Sequence, residues 1–187
     1  SRCVKQGFDT ACLAVHSEYF AVVLRKSPSV VLLSRWGAEF QGVDSSCWEV
    51  GLQTASPKPL RQLVFSHSEN VASYDGSCIF LLACSRSAAY LFDIVAATAC
   101  EGGHLYRQRL ELVEAGVGEV VGACFDQSNG IVGVLWAGAL VLHAVSSGNV
   151  VSRLAVGVGS LTAACFLGGA LAHVALVARE HGFLDIV

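Results

Sequence analysis

The same series of strand-like runs occurs twice in this chain of 187 residues. Thr10–Val50 reads as TACLAVH, YFAVVLR, SVVLLS, EFQGV and CWEVGL, and Val120–Phe166 as VVGACF, IVGVLW, LVLHAV, VVSRLAV and LTAACFL. The runs are short, apolar and rich in β-branched and aromatic residues, and tight breaks separate them, which is how the strands of a meander read. A chain made of two such series is confined to a β-rich, internally duplicated architecture.

The breaks carry turn chemistry. They fall at Ser27-Pro28, Trp36-Gly37 and Asp44-Ser45-Ser46 in the first half, and at Ser128-Asn129-Gly130, Ala137-Gly138 and Ser146-Ser147-Gly148-Asn149 in the second. Asn129-Gly130 between apolar runs is the strongest hairpin signal in the chain. Within the first run Cys12, Ala14 and His16 share one side, and Leu13 and Val15 the other.

After each series the period changes. Leu171, Val174, Ala175 and Ala178 fall at i, i+3, i+4 and i+7, one face of a helix. In the first half Pro59–Tyr74 has Leu60, Leu63, Val64, Val71 and Tyr74 on one side, and Arg86–Cys100 is rich in Ala and Leu with Arg86 and Asp93 on a polar stripe. Glu101-Gly102-Gly103 ends the first unit, and His104–Gly118 reads as the connection into the second. The expectation is an α+β fold of two β-meander units, residues 1–103 and 104–187, each closed by an α-helix.

Lys5-Gln6-Gly7-Phe8 resembles the K-x-G-Φ lead-in to a polo box. Phe20–Leu24, Ser29–Ser34, Phe40–Val43 and Trp48–Leu52 then resemble its next four strands. The chain on this basis resembles tandem divergent polo boxes, like those of the kinetoplastid kinetochore kinase-like proteins. The resemblance implies recruitment of kinetochore partners in the nucleus, with any kinase-like domain elsewhere in a larger protein. The His-x-Lys pair that grips phosphopeptides in such boxes is absent: the corresponding stretch is Ala137-Gly138-Ala139-Leu140, and no lysine follows Lys58. The implied binding therefore works without the charge-assisted phosphate contacts.

A rival resemblance is to a WD-type β-propeller fragment, an all-β fold. Four hairpin-like runs stack: YFAVVLRKSPSVVLLS from Tyr19, IFLLACSRSAAYLFDI from Ile79, IVGVLWAGALVLHAV from Ile131 and HVALVAREHGFLDIV from His173. Each follows a short apolar strand, and Leu91-Phe92-Asp93-Ile94 sits where a WD dipeptide falls. This resemblance implies a scaffold in a large assembly.

Composition removes other classes. Hydrophobic residues make up 53% and charged residues 14%, with mean hydropathy +0.56. No apolar run reaches the roughly 18–20 residues that span a bilayer, so no membrane role is expected, and the apolar excess fits a large core with a surface patch for a partner. Net charge is −3 and Lys5, Lys26 and Lys58 are the lysines. Nucleic-acid binding needs clustered cations, so none is expected. Cys12, Cys47, Cys78, Cys124 and Cys165 lie in apolar runs, where free cysteine acts as a small hydrophobe. This favours a reduced, intracellular compartment. Starting at Ser1 and lacking Met, the chain reads as part of a larger protein.

The chemistry-bearing residues show no catalytic pattern. The six histidines have no ligand spacing, no C-x-x-C pair occurs, and no phosphate-binding glycine loop appears. Metal, cofactor and small-molecule substrate are not expected. A Cys-His hydrolase is the catalytic alternative, opposed by the apolar setting of the cysteines. The expected role is a non-catalytic protein–protein interaction module. Aromatics and arginines anchor interfaces, so Trp36, Trp48, Arg107, Arg109, Trp136 and His143 are the expected partner-binding residues.

Overall fold

In the computed structural model the described residues are 10–35, 50–54, 58–66, 79–99, 106–114, 116, 118–126, 128, 130–155, 160–167, 175–182 and 184–186. They form four sheets. The first holds β1 (Thr10–Val15), β2 (Tyr19–Leu24), β3 (Val30–Arg35) and β4 (Val50–Gln53), with β8 (Tyr106–Arg107) added in parallel beside β4. The second holds β5 (Leu60–Phe65), β6 (Phe80–Ser85), β7 (Ala89–Asp93) and β9 (Leu110–Leu112). The third holds β10 (Val120–Phe125), β11 (Ile131–Trp136), β12 (Ala139–Ala144) and β13 (Val150–Ala155), and the fourth β14 (Leu161–Phe166), β15 (Ala175–Arg179) and β16 (Leu184–Ile186). All pairings other than β4 with β8 are antiparallel.

The sheets stack through their first strands: β1 packs on β5, β5 on β10, and β10 on β14. Each first strand carries a register shift at the same place, between Thr10 and Cys12, Leu60 and Gln62, Val120 and Gly122, and Leu161 and Ala163. A bulge adds one residue and resets the alternation of side chains. Leu60, Leu63 and Phe65 therefore face the first sheet together. Val120, Ala123 and Phe125 face the second in the same way, and Leu161, Ala164 and Phe166 the third.

Three apolar layers result. Tyr19, Ala21, Val23, Val31 and Leu33 meet Leu81, Ala83, Tyr90 and Phe92 between the first two sheets. Phe80, Leu82 and Leu91 meet Val132, Val134 and Trp136 between the second and third. Leu135 and Leu140 meet Leu161, Ala175 and Val177 between the third and fourth. The second sheet is covered on both faces, so every residue of β6 is buried. Each fully buried Leu or Phe there contributes roughly 1.5–3 kcal/mol.

The α+β expectation is overturned. The described residues contain one α-helix, α1 (Ile94–Thr98), whose first turn is capped by Asp93 accepting from the Ala96 N–H at 3.0 Å. The helix expected over Pro59–Tyr74 begins as β5, and its remainder past Ser66 lies outside the described residues. The one expected over Arg86–Cys100 divides into β7 and α1. The one expected from Leu171 to Ala178 is β15 from Ala175 onward, with 171–174 outside the described residues. The bulge explains the first error: it places Leu60 and Leu63, three apart, on one face and so imitates helical spacing. Burial of both faces explains the second, because β6 and β7 lose the two-residue alternation that marks a strand.

The polo-box arrangement falls with the helices. The four hairpin-like runs of the propeller reading instead map onto β2–β3, β6–β7, β11–β12 and β15–β16, the second and third strands of the four sheets. Residues 106–112, expected to lead into a second unit, pair with β4 and β7.

Candidate functional site

A concave feature opens where β1 and β5 end. A cleft of about 620 Å³ is lined by Ala14, Val15, His16, Ser17, Leu63, Val64, Phe65 and Ser66. It exists because two stacked strands end side by side and their chains turn away. Ser17 and Glu18 make the turn into β2, closed by the His16 N–H donating to the Tyr19 carbonyl at 2.7 Å. Ser66 is tied to β6, donating its N–H to the Phe80 carbonyl at 2.9 Å and accepting from the Phe80 N–H on its hydroxyl at 3.0 Å.

His16 is the polar centre of this cleft and is 8% exposed. Its Nδ1 accepts from the Glu18 N–H at 3.2 Å. The neutral ring must therefore carry its proton on Nε2. The ring lies 5.5 Å from that of Phe65 at 44° and 6.4 Å from that of Tyr19 at 35°. Burial lowers the His16 pKa from its ordinary value, and the Glu18 carboxylate partly opposes this. At the cleft's outer border Arg35 pairs with Glu18 at 3.0 Å and sits 5.7 Å over the Tyr19 ring. The cleft's lining mixes the apolar side chains of Val15, Leu63, Val64 and Phe65 with the polar ones of His16, Ser17 and Ser66.

The expected site residues divide. Trp36 and Trp48 lie outside the described residues, as does the side chain of Arg107, whose backbone is in β8. Trp136 is 1% exposed and belongs to the layer between the second and third sheets, so it packs rather than presents itself. Its Nε1 has no hydrogen-bond partner among the described residues. His143 is also buried; its Nδ1 lies 3.0 Å from the Gly148 carbonyl, so it donates there, and its Nε2 is buried without a partner among the described residues. Arg109 is exposed and bridges the second and third sheets. It donates to the Ser146 carbonyl at 3.2 Å, lies 3.8 Å from the Asp93 carboxylate and sits 5.7 Å over the Phe80 ring. Arg109 and His143 thus both bond to carbonyls of one turn, residues 145–149. Gly148 in that turn has φ +74 and approaches Leu110 closely.

His16 and Phe65 were not among the expected residues. The signal that marks them is positional: His16 directly follows β1 at a Ser-Glu turn, and Phe65 ends β5 before a serine. The hydroxyls of the cleft are those of Ser17, whose Oγ lies 3.5 Å from His16 Nδ1, and of Ser66, and no cysteine lines it. Burial pushes the thiols of Cys12, Cys84 and Cys124 up to about 11, 12 and 12, so they are protonated at neutral pH. No group of three His, Cys, Asp or Glu side chains among the described residues is placed to hold a metal ion. No helix among them is long and apolar enough to cross a membrane.

No family model matches the chain, and neither does any curated protein. Solved structures do match in fold. Among them is the crystal structure of the C-terminal WD40 domain of Sif2, with a TM-score of 0.63 and 11% identity over 93% of this chain. The chain spans 41% of the length of that structure. The fold likeness is therefore to a WD40 domain, in agreement with the four-sheet stack and not with polo boxes.

Proposed function

We propose that this chain is a non-catalytic scaffold module that docks a segment of a partner protein in the cleft between its first two sheets. The observation that carries the proposal is the trough at His16 and Phe65. Its size suits a few side chains of a peptide, and its lining sets apolar side chains (Val15, Leu63, Phe65) beside hydrogen-bonding ones (His16, Ser17, Ser66) that can orient a bound segment. Stacked sheets hold both walls rigidly, which lowers the ordering cost of binding. The WD40-like fold supports a scaffold role, and the protonated thiols of the buried cysteines speak against a hydrolase. Arg109, beside the next seam, belongs to the same proposal as a rim cation. The intracellular setting expected from the cysteines remains part of it.

Selection of a random peptide library against the chain tests the cleft. Peptides that bind should lose at least about tenfold in affinity, roughly 1.4 kcal/mol, when Ser17→Trp plugs the trough. They should bind normally to Val150→Asp, on the exposed face of β13. Binders that tolerate the plug place the docking site elsewhere.

A further inference from the structure

The four first strands share one frame, and it leaves two positions uncovered. Counting through each six-residue strand, the fourth and sixth residues face the preceding sheet and the fifth faces the following one. Ala14 of β1 meets Leu63 and Phe65 of β5 in the first apolar layer. Val64 of β5 meets Ala123 and Phe125 of β10 in the second. Cys124 of β10 meets Phe166 of β14, both lying about 3.3 Å from where a side chain on Gly133 would begin. At each seam the fifth residue of one strand lies in the same layer as the sixth-position phenylalanine of the next.

The ends of the stack repeat this pattern without a partner. Leu13 and Val15 occupy the fourth and sixth positions of β1, with no described sheet before them, and are 57% and 61% exposed. The adjacent Phe20 and Val22 are already buried, so the open part of this face is the first strand itself. Cys165 occupies the fifth position of β14 and is exposed. It continues across the sheet into Leu176, half-buried, and Ile186, 75% exposed. Neither row contains a charged residue. Among the described residues β14 makes no packing with β1 comparable to the three seams.

We infer that a second copy of this chain covers these faces, head to tail: Cys165, Leu176 and Ile186 of one copy receive Leu13 and Val15 of the other. The new seam continues the established ones, with the same strand positions: the fifth residue of one first strand against the fourth and sixth of the next. Two different faces meet, so the contact is heterologous, and two copies satisfy all four faces if the pair closes on itself. Exposed apolar sheet faces left bare promote association by the same burial that builds the core.

The test is the mass of the full 187-residue chain in reducing buffer, by light scattering across a concentration series, and of two exposed-site variants. The wild-type chain should weigh two copies, each 19.6 kDa. Leu13→Glu and Cys165→Lys should each be one copy, because each places a charge against an apolar face. Mixed together they should pair again: one seam is then wild type, and the other sets the introduced carboxylate against the introduced ammonium. Unchanged melting of both variants shows that they fold; if either melts early, Val15→Glu and Ile186→Lys replace them. A wild-type chain that stays a single copy overturns the inference. So does loss of pairing in Leu13→Glu while Cys165→Lys still pairs, which means like faces meet.

Discussion

His16 and Phe65 face each other across the first seam, with ring centroids 5.5 Å apart. One directly follows β1 and the other ends β5, so their contact exists only when two separate sheets are stacked. The pair joins the fold to the proposed site: Phe65 belongs to the apolar layer beneath and also walls the cleft.

The His16 environment makes stability depend on pH with a definite sign. Its folded-state pKa lies below the unfolded value near 6.5. The unfolded chain therefore binds the proton first as pH falls, and the contribution from His16 is complete above that value and is lost as pH drops below it. Urea denaturation at pH 7.5 and pH 5.5 should show lower stability at the acid pH. His16→Gln should flatten part of that slope.

Trp136 is a core residue in this structure. Trp136→Ala should cost about 3–5 kcal/mol, read as a lower urea midpoint. Arg109→Ala removes an exposed bridge to Ser146 and Asp93 and should cost no more than about 1 kcal/mol. Equal costs for the two would contradict the assigned burial.

Gly148 holds φ +74 in the turn shared by Arg109 and His143, and a methyl group there would meet Leu110 at 3.3 Å. Gly148→Ala should destabilise by about 1–3 kcal/mol, measured as a drop in Tm. A neutral result would mean that the turn adopts another conformation.

Thiol labelling of the Leu13→Glu chain, the single copy in which Cys165 is uncovered, read by mass spectrometry, should modify Cys165 before Cys12, Cys84 and Cys124. The first is exposed, and the other three are held protonated by burial. Labelling of Cys84 at the rate of a free thiol would contradict its position and reopen the hydrolase alternative.

Much of the strand content was readable from local pattern. The runs at Thr10, Tyr19, Val30, Val120, Ile131 and Ala139 are strands, and Ala137-Gly138 is the two-residue turn between β11 and β12. How the strands group was not readable in the same way. A bulge at the same point of each first strand puts residues three apart on one side, so Leu60 and Leu63 imitate a helix. Double-sided burial erased the alternation of β6 and β7. The candidate cleft is less legible still. Nothing near His16 in the chain announces Phe65, 49 positions later (65 − 16), because only sheet stacking brings them together. Arg109 and His143 were legible as residue types, and their meeting on one turn was not.

The described strands form four sheets, antiparallel apart from β8, instead of two helix-braced meanders, and backbone chemical shifts in solution test this segment by segment. The account predicts strand-type shifts across Leu60–Phe65 and Ala175–Arg179, with amide contacts between Leu63 and Ala83 on paired strands. Continuous helical shifts through either segment would contradict it.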